Sequence, residues 1–149
     1  DVHLAIVGRG HLKARLLRHA AKRGVADAVH IESSLPFEAL ADAYRAADLV
    51  VFPSLYEGLG MIPIEAMASG TPVITVDHGP MPETVDISTG ALYPVGDHDA
   101  FARVVNEELS DTAQLEAKGE AGRAKVLERF SMAREVGAYL EAYARATAE

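Results

Sequence analysis

The side chains best placed to do chemistry in this 149-residue chain are two glutamates, Glu57 and Glu65, with seven residues between them. A carboxylate can accept hydrogen bonds from two neighbouring hydroxyl groups, such as those of a sugar or a ribose. Gly58 and Gly60 lie between the glutamates, and glycine lets a ligand come close to the backbone. The stretch therefore predicts a site for a ligand that carries hydroxyl groups.

The backbone just after these glycines offers a complementary group. A helix is predicted to start near Met61 and Ile62, and the N–H groups of a first helical turn have no partner inside the helix. Together with the positive end of the helix dipole they form an anion site. A nucleotide-sugar site needs amide groups that donate hydrogen bonds to phosphate and carboxylates that accept them from hydroxyl groups, and this stretch offers both.

The two glutamates differ in how well a purely structural role explains them. Glu65 falls in the first turn of the predicted helix, where an acidic residue complements the dipole, so structure and function explain it about equally well. A capping box would need Ser or Thr at position 62, which is Ile62. Glu57 precedes loop glycines and has no helical explanation, which favours a functional role for it.

The flanking residues predict a strand, loop, helix, strand unit that positions these groups. Residues 49–52 and 73–76 are apolar runs. Pro63 suits the first helical position, where its missing N–H costs nothing, and Gly70 suits the left-handed residue after the helix. The loop then opens at the carboxyl end of a strand, which is where ligands bind in open parallel sheets.

The rest of the chain alternates between strand-like and helix-like segments. The predicted strands are 2–7, 28–31, 49–52, 73–76 and 89–94. Helical spacing of apolar residues predicts helices between the strands, one of which begins at Pro36, and an all-helical part from Asp97 that ends in a C-terminal helix at 131–149. This alternation predicts an α/β fold with one five-stranded parallel sheet, in a single domain over residues 1–149.

Composition excludes several classes of partner. Fourteen basic against 22 acidic residues give a net charge of −8, which argues against a nucleic-acid partner because that would need a basic face. There is no cysteine, so disulfides and thiolate chemistry are excluded. No apolar run approaches the ~18 residues of a membrane span, and no signal peptide is visible. We therefore expect a cytoplasmic location and no transmembrane segment.

The sequence of residues 53–74, PSLYEGLGMIPIEAMASGTPVI, resembles the E-x7-E signature of the family 4 retaining glycosyltransferases. Tyr44 and the pair Ala47-Asp48 also match the family's pattern. Members of that family have the GT-B architecture, in which two Rossmann-like domains face each other across a cleft. The resemblance implies that this chain is one half of such an architecture, a Rossmann-like parallel sheet flanked by helices, and corresponds to the C-terminal, donor-binding domain.

The resemblance also implies roles for the residues of the signature. The donor would be an NDP-sugar, and a hexose-type sugar would be transferred with retention, without a metal or other cofactor. Glu57, the candidate catalytic residue, would bind the sugar or its phosphate side, and Glu65 would bind the ribose hydroxyls. The backbone of the substrate-binding segment, formed by Gly58, Gly60, Met61 and Ile62, would hold the diphosphate.

The chain departs from the family at three positions and lacks parts of its pattern. Arg9 stands where the family usually has an acidic residue, Ser33 where it has a glycine, and Pro80 where it has a second glycine. An opening strand, an Arg and Lys pair for the diphosphate, and the N-terminal acceptor domain have no counterpart in these residues. The chain is therefore expected to be a C-terminal portion of a longer enzyme, inactive in isolation, with the missing domain as its partner and as the route of any peripheral membrane contact.

A different class of function stays open at this point. A non-catalytic module could keep the fold, and with it nucleotide binding, and act by association. An acceptor domain and an Arg/Lys-bearing strand encoded upstream would favour the enzyme, whereas an unrelated upstream domain would favour the module.

Overall fold

The apolar runs form five short β-strands in the computed structural model, which describes residues 2–147, and a helix follows each strand. Contacts divide the chain into two compact units, Asp1–Leu40 and Ala41–Glu149. The boundary falls inside one helix, α2 (Phe37–Ala46). A single domain over residues 1–149 therefore remains a prediction.

The first unit contains two parallel strands. Its elements are β1 (Leu4–Val7), α1 (Lys13–Lys22), a 3-10 turn (Ala26–Ala28) and β2 (Val29–Glu32). Leu4 lies opposite Val29, and Val7 lies opposite Glu32. The side chain of Lys13 donates a hydrogen bond to the carbonyl of Ile31 at 2.9 Å, which fixes the start of α1 to the strand beside it.

The second unit contains the other three strands and most of the helices. Its elements are β3 (Val50–Phe52), α3 (Met61–Ala68), β4 (Val73–Val76), α4 (Met81–Thr84), β5 (Gly90–Tyr93), α5 (His98–Leu109), α6 (Thr112–Arg129) and α7 (Met132–Ala146). The strands pair in parallel in the order β3-β4-β5. All four residues of β4 are buried, as expected of a central strand that is covered on both faces.

The α/β class with parallel strands and flanking helices is confirmed, but the prediction of one five-stranded sheet is wrong. The strands of the described residues are hydrogen-bonded as a pair, β1-β2, and a separate triplet, β3-β4-β5. An apolar run identifies a strand because such residues pack on a pleated surface. It does not identify the edge along which that strand pairs, so the sequence pattern could not distinguish one sheet from two.

The core of the second unit lies around α3 and β4. One cluster of buried side chains comprises Ile64, Ala66, Met67, Val73, Val85 and Val126. A second cluster comprises Ile74, Val76, Met81 and Tyr93. The helix that follows the glycine loop is thus anchored by its own apolar side chains, and the loop is held between two core elements.

The long helix α6 packs against α3 through two glycines. A Cβ at Gly119 would lie 2.1 Å from the carbonyl oxygen of Gly70, and a Cβ at Gly122 would lie 3.1 Å from Cγ of Met67. Glycine is a poor helix former, yet α6 is continuous from Thr112 to Arg129. The glycines are therefore needed for a close approach between helices rather than for a break.

A buried ion pair fixes α6 to its other neighbours. The Lys118 ammonium lies 2.6 Å from Oε1 and 2.8 Å from Oε2 of Glu108 on α5, and it donates a third hydrogen bond to the carbonyl of Gly90 at 3.1 Å. A buried charge is tolerated when its hydrogen bonds are satisfied in this way. The pair therefore sets the position of α6, and so of α3, relative to the sheet.

The C-terminal helix predicted at 131–149 is present as α7, Met132–Ala146, while residues 148–149 lie outside the described part of the chain. The large apolar side chains of this helix are exposed rather than packed; Met132 is 74% and Tyr143 66% accessible. Along the described residues, no helix combines the length and apolar character needed to cross a membrane.

Candidate functional site

The glycine loop leaves the carboxyl end of β3 and enters α3, as the sequence predicts. β3 ends at Phe52 and α3 starts at Met61, so Glu57 and Gly58 lie in the loop between them. Glu65 lies on α3. The structure thus places all six predicted site residues on one strand–loop–helix connection of the second unit, at the end of a parallel strand where ligand sites form.

Gly60 precedes α3 in a backbone conformation that L-residues rarely adopt. Its φ is +79°, in the left-handed region, which costs a residue with a Cβ free energy. An added Cβ would also lie 2.4 Å from the Cε of Met81. Gly58 has neither constraint, because a Cβ there would meet nothing within 4 Å. Packing therefore explains Gly60 and leaves space beside the backbone at Gly58.

The helix begins at Met61, where the free amides were expected, and not at Pro63. Met61 is its first residue, so Pro63 is the third residue rather than the first, and Glu65 is in the second turn rather than the first. Proline is tolerated at the third position because that N–H would also lack a partner inside the helix. The interaction with the dipole fades beyond the first turn, so the structural explanation of Glu65 by the dipole loses force.

The amides at the start of α3 are available as predicted. No side chain of the described residues caps this end of the helix. The side chains of Met61 and Ile62 are 56% and 40% exposed, so the N-terminal end is at the surface. Backbone N–H groups without a helical partner at such an end bind anions such as phosphate.

Glu65 has a protein partner that sequence reasoning missed. The hydroxyl of Tyr44 on α2 donates a hydrogen bond to Oε2 of Glu65 at 3.1 Å. Burial, and then the hydrogen bond to Glu65 and its negative charge, raise the pKa of Tyr44 to about 12. Tyr44 was noted only as a match to a family pattern. Tyr44 and Glu65 lie 21 residues apart in the sequence, and no helix or strand periodicity links residues that far apart.

Glu57 is oriented by a residue of its own loop. The hydroxyl of Ser54 donates a hydrogen bond to Oε1 of Glu57 at 2.8 Å; Ser54 is half-buried and Glu57 is exposed. A carboxylate held at one oxygen while it faces solvent can still accept a hydrogen bond from a ligand at its other oxygen. The loop therefore presents Glu57 outward.

Arg9, whose role the sequence left open, has a partner in the first unit. Its guanidinium donates to the hydroxyl of Ser34 at 3.3 Å, between two exposed side chains. The loops that follow β1 and β2 are thereby joined.

Comparison with known proteins gives a consistent result. The family model described as Glycosyl transferases group 1 matches residues 1–125. The chain is 34% identical over 154 residues to the MMP alpha-(1->4)-mannosyltransferase of Mycolicibacterium hassiacum, covering 99% of this chain and 38% of that protein. It is 39% identical over 132 residues to the D-inositol 3-phosphate glycosyltransferase of Streptomyces scabiei, covering 88% of this chain and 29% of that protein.

Solved structures agree with these relatives. The sucrose-phosphate synthase of Thermosynechococcus elongatus superimposes with a TM-score of 0.86 at 31% identity, over 98% of this chain and 39% of that one. Anabaena Alr3699/HepE in complex with UDP-glucose superimposes with a TM-score of 0.82 at 22% identity, over 95% and 41%, a likeness that bears on the fold alone. The chain spans about two fifths or less of the length of all these proteins.

Proposed function

Since this chain belongs to the group 1 glycosyl transferase family, we propose that it is the donor-binding part of a retaining glycosyltransferase of the E-x7-E type. The observation that carries the proposal is the loop from β3 into α3 at the end of a parallel strand. There Glu57, the left-handed Gly60, a helix start that no described side chain caps, and Glu65 follow one another. The mannosyltransferase relative supports a sugar donor as the ligand.

In this proposal each group of the site binds a different part of the donor. The amides of Met61 and Ile62, reached beside Gly58 and Gly60, bind the diphosphate. Glu65 accepts hydrogen bonds from the ribose hydroxyls, and Glu57 binds the sugar beside its phosphate. During transfer the bond from the anomeric carbon to the diphosphate oxygen breaks, a bond to the acceptor oxygen forms, and the proton of the acceptor hydroxyl passes to the leaving diphosphate oxygen. The amides stabilise the negative charge that builds on the leaving diphosphate.

The complete enzyme is part of the proposal. We place these residues in the C-terminal half of a cytoplasmic GT-B protein, whose N-terminal domain supplies the acceptor and any peripheral contact with a membrane. The chain spans 38% of the mannosyltransferase relative and 39% of the sucrose-phosphate synthase, and this partial coverage supports a further domain. The sugar transferred is of the hexose type, as in the mannosyltransferase relative.

The experiment that tests the donor role is Glu65→Gln. Removing a charged partner from buried ligand hydroxyls should cost roughly 1.5–3 kcal/mol of nucleotide binding, whereas the dipole interaction is worth about 0.3–1 kcal/mol of stability at most. Calorimetric titration with UDP, GDP and ADP, together with thermal melts, separates the two quantities. We expect a large loss of affinity for whichever nucleotide binds, with a small change in the melting temperature.

Asp99→Asn is the matched control for this experiment. Asp99 is an exposed carboxylate in the first turn of α5, a helix that also starts in the second unit. Its loss should affect stability slightly and nucleotide affinity not at all. If Glu65→Gln kept full affinity and melted at a lower temperature, Glu65 would be a structural residue and the proposed donor role would be wrong.

We also propose that the donor binds without a metal ion. The amides at the start of α3 would take over the charge stabilisation that a divalent cation gives a diphosphate elsewhere. Replacing MgCl2 by EDTA should therefore leave the affinity for UDP or GDP unchanged in calorimetric titrations. Binding that appeared only with Mg²⁺ or Mn²⁺ would contradict this part of the proposal.

A further inference from the structure

We propose that Tyr44 is a positioning residue for Glu65, which holds Oε2 of the carboxylate so that Oε1 stays free for the ribose hydroxyls of the donor. The inference rests on the donor role proposed above and adds to it a residue from a different helix. Its basis is the hydrogen bond from the Tyr44 hydroxyl to Glu65 Oε2 at 3.1 Å.

Tyr44 is itself held in place at both ends. Its side chain packs against the buried cluster around α3 and β4. Its backbone carbonyl accepts a hydrogen bond of 2.6 Å from the hydroxyl of Thr71, at the entry to β4. A phenol has only two rotatable side-chain bonds, so once its ring is packed its hydroxyl has a defined location. The glutamate, with one more rotatable bond, is therefore the partner whose position is fixed by the contact.

The hydroxyl suits this task because it is neutral and always protonated. With the pKa of Tyr44 raised to about 12 by burial and by Glu65, it donates throughout the physiological pH range. It leaves the charge of the carboxylate intact, and across the described residues no Lys or Arg side chain bonds to Glu65. A negative carboxylate with one oxygen bound and one oxygen open is a strong acceptor for a ligand hydroxyl.

Holding the carboxylate before the ligand arrives should raise affinity. A side chain that is already ordered loses less rotamer freedom on binding. Tyr44→Phe keeps the ring and its packing and removes the hydrogen bond. It should lower the affinity for a nucleoside diphosphate roughly five- to tenfold, which is less than the loss expected for Glu65→Gln because the acceptor itself remains.

A merely structural tether between α2 and α3 would behave differently. It would affect every nucleotide alike, whereas a positioning role acts only through the ribose hydroxyls. Titration of wild-type chain and Tyr44→Phe with UDP or GDP, and with the corresponding 2′,3′-dideoxynucleotide, distinguishes them. We expect Tyr44→Phe to lower the affinity for the ribonucleotide and to leave the affinity for the dideoxynucleotide unchanged. Adding Tyr44→Phe to Glu65→Gln should lower the affinity no further. Equal losses with both ligands would overturn the proposal.

The matched control is Tyr93→Phe. Tyr93 is a buried tyrosine on β5, stacked at an angle against Phe101 with ring centroids 5.0 Å apart. Its substitution should leave the affinity for both kinds of nucleotide unchanged. The titrations are made on the 149-residue chain and in parallel on the complete protein that its gene encodes, because donor binding is expected to be weaker in the shorter chain.

A second measurement needs no ligand. NMR of protein labelled at the tyrosine Cζ should show Tyr44 ionising with a pKa of about 12, above the ordinary value of a tyrosine, and Glu65→Gln should bring its ionisation to lower pH. Ionisation of Tyr44 at the ordinary pKa of a tyrosine in the wild-type protein would overturn the contact. If the contact is present but no nucleotide binds either protein, the donor role fails, and Tyr44 is a structural partner of Glu65.

Discussion

The 149 residues made alone should transfer no sugar, although they should still bind a nucleoside diphosphate weakly. Retaining transfer needs an acceptor hydroxyl held close to the anomeric carbon, and positioning of this kind contributes about 7–11 kcal/mol to lowering a barrier. The chain spans only 38% of its mannosyltransferase relative, and the acceptor domain implied by the resemblance lies outside it. The loss of activity should therefore be complete within the detection limit.

A screen with common NDP-sugars, with and without sugar and lipid acceptors, measures this directly. The complete protein encoded by the gene is the positive control, and nucleotide binding by the short chain shows that its site is formed. Steady transfer by the 149 residues would show that they carry the acceptor site themselves. Failure of the complete protein to transfer any sugar, with nucleotide binding retained, would favour a non-catalytic module of the same fold.

The parts of the site that follow from local sequence were predictable. Gly70 ends α3 with a φ of +87°, as a glycine past a helix end should. Asp97 caps α5 by accepting the N–H of Ala100 at 2.8 Å, which a short polar residue before a helix predicts. The strand before the glycine loop was predictable in the same way, because a short apolar run followed by glycines is a signal contained in neighbouring residues.

The parts that depend on distant residues were not predictable. Tyr44 and Glu65 meet because two helices pack against one core, and their separation in sequence carries no sign of it. Pro63 is the third residue of α3 rather than its first, because proline fits any early position in a helix whereas the left-handed Gly60 selects the actual start. Helix propensity disfavours the two glycines of α6, and their packing against α3 depends on residues far away in the sequence.

Those glycines give the second large expected effect, since Gly119→Ala should destabilise the unit that carries the site. An alanine Cβ would lie 2.1 Å from the carbonyl oxygen of Gly70, and a backbone atom cannot rotate away as a side chain can. Lys118, beside Gly119, is fixed by its ion pair to Glu108, so α6 cannot easily shift. Overpacking of this kind should cost about 3 kcal/mol, which outweighs the gain in helix propensity of about 1 kcal/mol from replacing glycine.

Melting followed by circular dichroism should show the effect as a fall of very roughly 6–10 °C for Gly119→Ala. Gly137→Ala on α7 is the matched control, because a Cβ there would meet nothing within 4 Å and the substitution should raise stability slightly. The melting temperature of Gly122→Ala should lie between those of the other two variants, since the added Cβ would contact the flexible side chain of Met67. Because Gly70 ends the helix that carries Glu65, the Gly119 variant should also lose nucleotide affinity below its melting point. A Gly119 variant that melts like the wild type and keeps its affinity would mean that α6 does not approach α3 this closely, and that something other than α6 holds the site helix in place.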